Sequence, residues 1–338
     1  MRVTTIHAAR DIRLEDRPAP TLERPTDAIV RVTASCICGS DLWSYRGENS
    51  IEPGSPIGHE IVGVVEEVGG DVRSFRPGDF VIAPFVHCDN ACPHCRAGIT
   101  SACVNQGFTV GGQGEYVTVH QAEGSLVKTD GMPEESMVPS LLALADVMAT
   151  GWHAAAAAGV RPGSTAVVVG DGAVGLCGVL AATRLGAERV VAMSRHEPRQ
   201  KIATIFGATD IVPERGEEGE QRILDLTDGL GADAVLECVG NDAAMQTAVA
   251  VARPGATVGF VGVPHGVELP VAPMFRRNVG LAGGMAPVRT YLPDLLDRTL
   301  SGDIEPGLVF DMSLPLDEVA EGYRAMDERL AIKVLLRP

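Results

Sequence analysis

The chain has 338 residues, of which 45% are hydrophobic and 21% charged, and its net charge is −16. That composition suits two folded domains rather than a disordered chain, and it lacks the basic footprint of a nucleic-acid binder. No run of about 18 apolar residues suggests a membrane span, and the charged first residues lack a signal-peptide core, so a cytoplasmic protein is expected.

Up to about residue 140 the chain is written in short β-branched runs bounded by Gly, Pro and Asp: DAIVRVTAS, EIVGVVEEVG, DFVIAPF and GEYVTVH. Pro77 and Gly78 supply the turn that delivers the third run. An antiparallel barrel or sandwich with functional loops is expected. Cys38 and His59 lie about 20 residues apart in this half, each flanked by small or turn-forming residues. A soft thiolate with an imidazole suits zinc, and a catalytic zinc takes three protein ligands and keeps one open position. The loop HCDNACPHCRAGITSAC, residues 87–103, holds Cys88, Cys92, Cys95 and Cys103, half of the chain's eight cysteines. In a reducing compartment such a cluster points to metal rather than to disulfides.

From about residue 160 the rhythm changes to strand, helix, strand, beginning with STAVVVG and AVGLCGVLAATRLGA and ending with GATVGFVGV. Such alternation implies a doubly wound parallel sheet. Gly170, Gly172 and Gly175 form the pattern G-x-G-x-x-G between the first strand and its helix, the context a dinucleotide site requires. The glycines allow a tight turn, close approach of a pyrophosphate and close helix packing. Ala173 and Val174 open the helix, whose first N–H groups face the phosphates. A site for NAD usually carries Asp or Glu at the end of the second strand, where this chain has Ser194 and Arg195, with Arg199 and Lys201 following. A guanidinium can bind a 2′-phosphate that a carboxylate would repel, so NADP is the expected cofactor and NAD the alternative. The closing AIKVLLRP is expected to return as a strand to the first domain, making that domain discontinuous.

The stretch GHEIVGVVEEVGGDV resembles the signature of the zinc-containing alcohol dehydrogenases of the medium-chain dehydrogenase/reductase family, at Gly58, His59, Glu60, Gly63, Gly69 and Val72. CGSD at residues 38–41, the glycine pattern and the four-cysteine loop follow in that family's order. The resemblance covers essentially the whole chain. It implies an α/β protein with a discontinuous GroES-like catalytic domain, residues 1–147 and 289–338, and a Rossmann-type domain, residues 148–288. It also implies reversible hydride transfer between a primary or secondary alcohol and a nicotinamide cofactor. A polyol, threonine or amino-alcohol substrate on the same scaffold is the alternative. A non-enzymatic zinc-binding regulatory module fits poorly with the negative charge.

The family implies Cys38 and His59 as catalytic zinc ligands, and LLALADVMATGWHAA places Asp146 at the third ligand position, as in bacterial secondary-alcohol dehydrogenases. A carboxylate in so apolar a run is costly to bury unless paired or metal-bound; the alternative is a cap for the following helix. Glu60 is implied as an auxiliary ligand, and Asp41 as acceptor for the His59 ring nitrogen that faces away from the metal. Ser40 is implied as the first step of a proton relay whose usual terminal histidine is here Trp43. The family's second, structural zinc is held by Cys-x2-Cys-x2-Cys-x7-Cys. Cys92, Cys95 and Cys103 keep that spacing, while the first cysteine is displaced to Cys88 and Asp89 stands in its place. Cys88 is the expected fourth ligand, with Asp89 as runner-up. The implied assembly is a homodimer or homotetramer, with a small alcohol or carbonyl compound as the only other partner.

Overall fold

The computed structural model describes residues 1–338. The chain divides into two units, Met1–Asp146 with Pro287–Pro338, and Val147–Ala286. No helix is long and apolar enough to cross a membrane.

The first unit is organised around one long strand, Ala28–Cys36, whose β-branched residues suit a pleated, buried surface. It pairs antiparallel with Ile61–Val68, with Tyr116–Val119 and with the C-terminal strand Val334–Arg337. Phe80–Ala83 and Val127–Lys128 extend the sheet on one side, and Met312–Pro315 extends it on the other. The register between Ala28–Cys36 and Ile61–Val68 slips twice, at Ile29/Val30 and at Val32/Ala34. Such bulges bend and twist a strand, and the sheet closes over a core of Val30, Val32, Ile61, Val65, Val81 and Val117.

That register also builds the site. Ser35 pairs with Ile61, so the chain leaving the first strand at Cys36 runs beside the chain entering the second at Glu60. Cys38 and His59 are thereby brought together from opposite strand ends. The returning C-terminal strand pairs Leu335 with Cys36 and sets Lys333 beside the same junction.

The second unit holds six parallel strands in the spatial order Asp210–Ile211, Arg189–Met193, Thr165–Val169, Ala232–Glu237, Ala252–Phe260, Gly280–Gly283. The strands are apolar on both faces because helices cover both, and Val167, Val191, Val235, Ala248 and Val258 share one core. Strand order reverses beside Thr165–Val169, which is where a doubly wound sheet opens its ligand crevice. The glycine turn follows that strand and leads into the helix Ala173–Arg184.

Candidate active site and metal centres

Cys38, His59, Glu60 and Asp146 form one group whose donor atoms all lie within 4.8 Å of one another. Cys38, Glu60 and Asp146 are buried, and His59 is half-buried. Cys38 Sγ stands 3.6 Å from Asp146 Oδ2, and His59 Nε2 stands 3.6 Å from the same oxygen. Gly58 makes the turn that aims His59: its φ is +93°, and a Cβ there would lie 2.4 Å from Gln113 Cγ. The Phe85 ring meets the imidazole edge-on, with centroids 6.1 Å apart.

The other face of the imidazole is turned to Asp41, whose Oδ1 is 3.5 Å from His59 Nδ1. Asp41 is itself fixed, its Oδ2 accepting from Cys38 N at 3.0 Å and from Gln113 Nε2 at 3.3 Å. Gln113 Oε1 in turn accepts from the buried hydroxyl of Tyr323 at 3.1 Å. Neither Gln113 nor Tyr323 stands out in the sequence. Ser40 sits half-buried at the start of the short helix Asp41–Tyr45 and makes no capping hydrogen bond. Trp43 lies on that helix under the Arg46 guanidinium, 5.9 Å from its ring centroid.

Glu60 is fully buried, and its Oε1 lies 2.7 Å from Lys333 Nζ, which also donates to Ile37 O at 3.2 Å. Its second oxygen, Oε2, has no protein partner. Burial pushes the Glu60 carboxyl up against the pull of Lys333. Burial also raises the Cys38 thiol, reinforced by the charges of Asp146 and Glu60. At His59 burial works against the charge, but Asp41, Asp146 and Cys38 outweigh it and lift the imidazole well above 6.5. A buried group that favours the protonated histidine and leaves a carboxylate oxygen unmatched suits a cation. Thiolate, imidazole and carboxylate together fit zinc.

The cysteine loop forms a second group, Asp89, Cys92, Cys95 and Cys103, again with donor atoms within 4.8 Å. Cys92 Sγ lies 3.6 Å from Cys95 Sγ and 3.9 Å from Cys103 Sγ. Sulfurs about 2.3 Å from a tetrahedral zinc stand roughly 3.8 Å apart, whereas a disulfide needs about 2.05 Å; every cysteine is free. Cys88, the expected fourth ligand, packs with the other three cysteines but lies outside this close group of donor atoms. Its Sγ donates to Gly124 O at 3.4 Å, and its N–H donates to Ser125 Oγ at 3.0 Å. Gly124 packs so closely that a Cβ would lie 2.1 Å from Cys88 O, and this contact pins Cys88 against the 124–125 turn. Cys88 stays buried beside the other three thiols, but it is Asp89 that enters the donor group. Asp89 Oδ1 accepts from Ala91 N at 2.8 Å and Cys92 N at 2.9 Å, and stands 3.5 Å from Cys95 Sγ. Burial opposes its ionisation, but those two N–H groups prevail and hold the carboxyl well below the usual range.

In the second unit Gly170 has φ +117°, and a Cβ on Gly175 would lie 2.0 Å from Gly170 O, so only glycine lets the helix approach the turn. A Cβ on Gly172 would meet nothing within 4 Å. This open space lies before the first N–H groups of Ala173, Val174 and Gly175, a cradle that fits a pyrophosphate. At the end of Arg189–Met193, Ser194 is buried, Arg195 is exposed and Arg199 is half-buried. Lys201 is exposed and pairs with Glu197 at 2.9 Å. Two further charged residues belong here that the sequence reading passed over. Arg215 donates to Met193 O at 3.0 Å, and Asp171, inside the glycine pattern, accepts from Ser194, Arg195 and Arg199.

Residues 24–131 match the family described as "Alcohol dehydrogenase GroES-like domain", and residues 173–301 match the family described as "Zinc-binding dehydrogenase". A "Probable zinc-binding alcohol dehydrogenase" of Mycobacterium tuberculosis is 36% identical, aligned over 100% of this chain and 89% of its own length. An "NADP-dependent isopropanol dehydrogenase" of Thermoanaerobacter brockii is 32% identical over 96% of this chain and 94% of its own. Among solved structures, an alcohol dehydrogenase from Thermus sp. ATN1 superposes with a TM-score of 0.91 at 32% identity, covering 100% of this chain and 99% of that one.

Proposed function

The chain belongs to the zinc-binding alcohol dehydrogenase family, and on that premise we propose that it oxidises primary or secondary alcohols reversibly with NADP. The observation that carries the reading is the buried group of Cys38, His59, Glu60 and Asp146, with one orphaned carboxylate oxygen. Zinc bound there would act as a Lewis acid on the substrate oxygen, while the nicotinamide would exchange the hydride.

The protein's own residues supply orientation, charge and a proton path. Cys38, His59 and Asp146 are the metal ligands in this reading, with Glu60 as auxiliary. Asp41 holds the His59 ring through Nδ1, leaving Nε2 toward the metal. Ser40, free of any capping role, receives the alcohol proton. Trp43 offers no base where the family's relay ends in histidine, so the proton leaves to water. Asp89, Cys92, Cys95 and Cys103 form a closed structural zinc lobe.

Support for NADP comes from Ser194, Arg195 and Arg199 where an NAD site carries a carboxylate. The T. brockii relative is itself described as NADP-dependent. A cytoplasmic location and a homodimer or homotetramer belong to the same reading. The test is kcat/KM for both cofactors over a series of primary and secondary alcohols, with zinc counted per chain. NADP is expected to give the higher value. An equal or better value with NAD would overturn the cofactor assignment, and no turnover with either cofactor in zinc-loaded protein would overturn the activity.

A further inference from the structure

Asp171 stands between Gly170 and Gly172, and its carboxylate reaches across to the end of the neighbouring strand. Oδ2 accepts from Ser194 Oγ at 2.9 Å and from the Arg195 N–H at 3.3 Å. Oδ1 accepts from Arg199 Nη1 at 3.1 Å. The side chains of Asp171 and Arg199 are only 13% and 14% exposed, and Ser194 is fully buried. Burial disfavours the ionised form, yet Arg199 and Ser194, with the charge of Arg215 behind them, hold the carboxyl below 3.8. A hydroxyl, a backbone N–H and a guanidinium converging on one anion make a donor set that a phosphate would also use. In this chain the anion already there is a side chain.

The carboxylate that an NAD site carries at the end of its second strand is thus delivered here from the glycine turn of the first. We propose that Asp171 determines cofactor specificity, occupying the 2′-phosphate subsite as an internal anion that a 2′-phosphate must displace or face. The proposal rests on the reading that Ser194, Arg195 and Arg199 face the adenosine ribose. With NAD, Asp171 is left as an acceptor for ribose hydroxyls. With NADP, its negative charge offsets part of the attraction of the arginines. The preference for NADP is therefore narrower than the cationic side chains alone would give.

The test is calorimetric titration of the full-length zinc-loaded protein with 2′,5′-ADP and with 5′-AMP, which needs no turnover. Asp171→Asn keeps the shape and removes the charge, replacing one of the two accepting oxygens by an amide donor. It should tighten 2′,5′-ADP by about tenfold or more while leaving 5′-AMP unchanged or weaker. Arg199→Met should weaken 2′,5′-ADP alone. If Asp171→Asn folds poorly, Asp171→Gly, which removes the carboxylate side chain altogether, carries the same expectation. Should removal of the Asp171 charge weaken 2′,5′-ADP in step with Arg199→Met, Asp171 only positions the arginine and the proposal falls, with the NADP reading intact. Should neither substitution alter either probe, the pocket takes no 2′-phosphate, and the proposal falls together with the NADP reading.

Discussion

Replacing Lys333 by Met should destabilise the catalytic unit by about 3–4 kcal/mol at pH 7, and by much less in mild acid. Lys333 and Glu60 side chains are 1% and 0% exposed, with Nζ and Oε1 2.7 Å apart. Met nearly matches the aliphatic stem, so the loss is electrostatic rather than a cavity. Removing one partner of a buried pair costs about 3–5 kcal/mol because the other charge is stranded. The stranded carboxyl has one escape, which is to take up a proton. That costs about 1.4 kcal/mol for each pH unit above its ordinary value. Measured from the ordinary carboxyl value, the ceiling is roughly 3 kcal/mol at pH 7 and about 1 kcal/mol at pH 5.5. The lost bond to Ile37 O adds about 1 kcal/mol at either pH. The sign follows from linkage. Burial raises Glu60 in the folded chain above its unfolded value, so the folded state holds the proton more tightly. The deficit is therefore small below 4.5 and grows as pH rises toward the folded value. Urea unfolding at the two pH values, read by hydrogen exchange in Ile61–Val68, reports on this unit alone. Adding Glu60→Gln to Lys333→Met should recover more than half of the loss. A Lys333→Met deficit below about 0.5 kcal/mol at pH 7, or one that grows toward acid, would refute the reasoning.

Asp146→Asn should remove about one zinc per chain and lower kcat/KM by about 100-fold or more, seen by metal analysis and steady-state kinetics; full retention of both counts against the ligand role. In the cysteine loop, Asp89→Ala should speed zinc release to a chromogenic chelator by roughly 10- to 100-fold, whereas Cys88→Ala should stay within about threefold. The reverse ranking would return Cys88 to the donor set.

The parts of the site that depend on local chemistry were readable from the chain. The glycine turn of residues 170–175 declares itself by strand, spacing and helix, and Asp146 by being a carboxylate in an apolar run. Cys38 and His59 were readable as a candidate thiolate–imidazole pair, but what brings them together was not, because no spacing rule says that Ser35 will pair with Ile61. Gln113, Tyr323 and Lys333 reach the site through strand pairing and helix packing from distant positions, and their sequence neighbourhoods do not mark them. The tight approach of Gly124 to Cys88, which bears on whether Cys88 or Asp89 faces a metal, is a contact across 36 residues of chain that spacing cannot express.

Charge explains why these particular residues were the hard ones. Around Cys38 the fold gathers a thiol and the carboxylates of Asp41, Glu60 and Asp146 against one lysine and one imidazole. Buried anions in excess are costly, and Lys333 satisfies only one oxygen of Glu60, so the group suits a cation from outside. The glycine turn shows the opposite arrangement. There Ser194, Arg195 and Arg199 converge as donors, and the chain supplies the anion itself through Asp171. A centre short of positive charge draws in a metal, whereas one that already holds an internal anion must displace or oppose it to take an external one. On this argument the first sets zinc retention and the second sets cofactor choice. Each is therefore open to change by one neutralising substitution, at Lys333 in one unit and at Asp171 in the other.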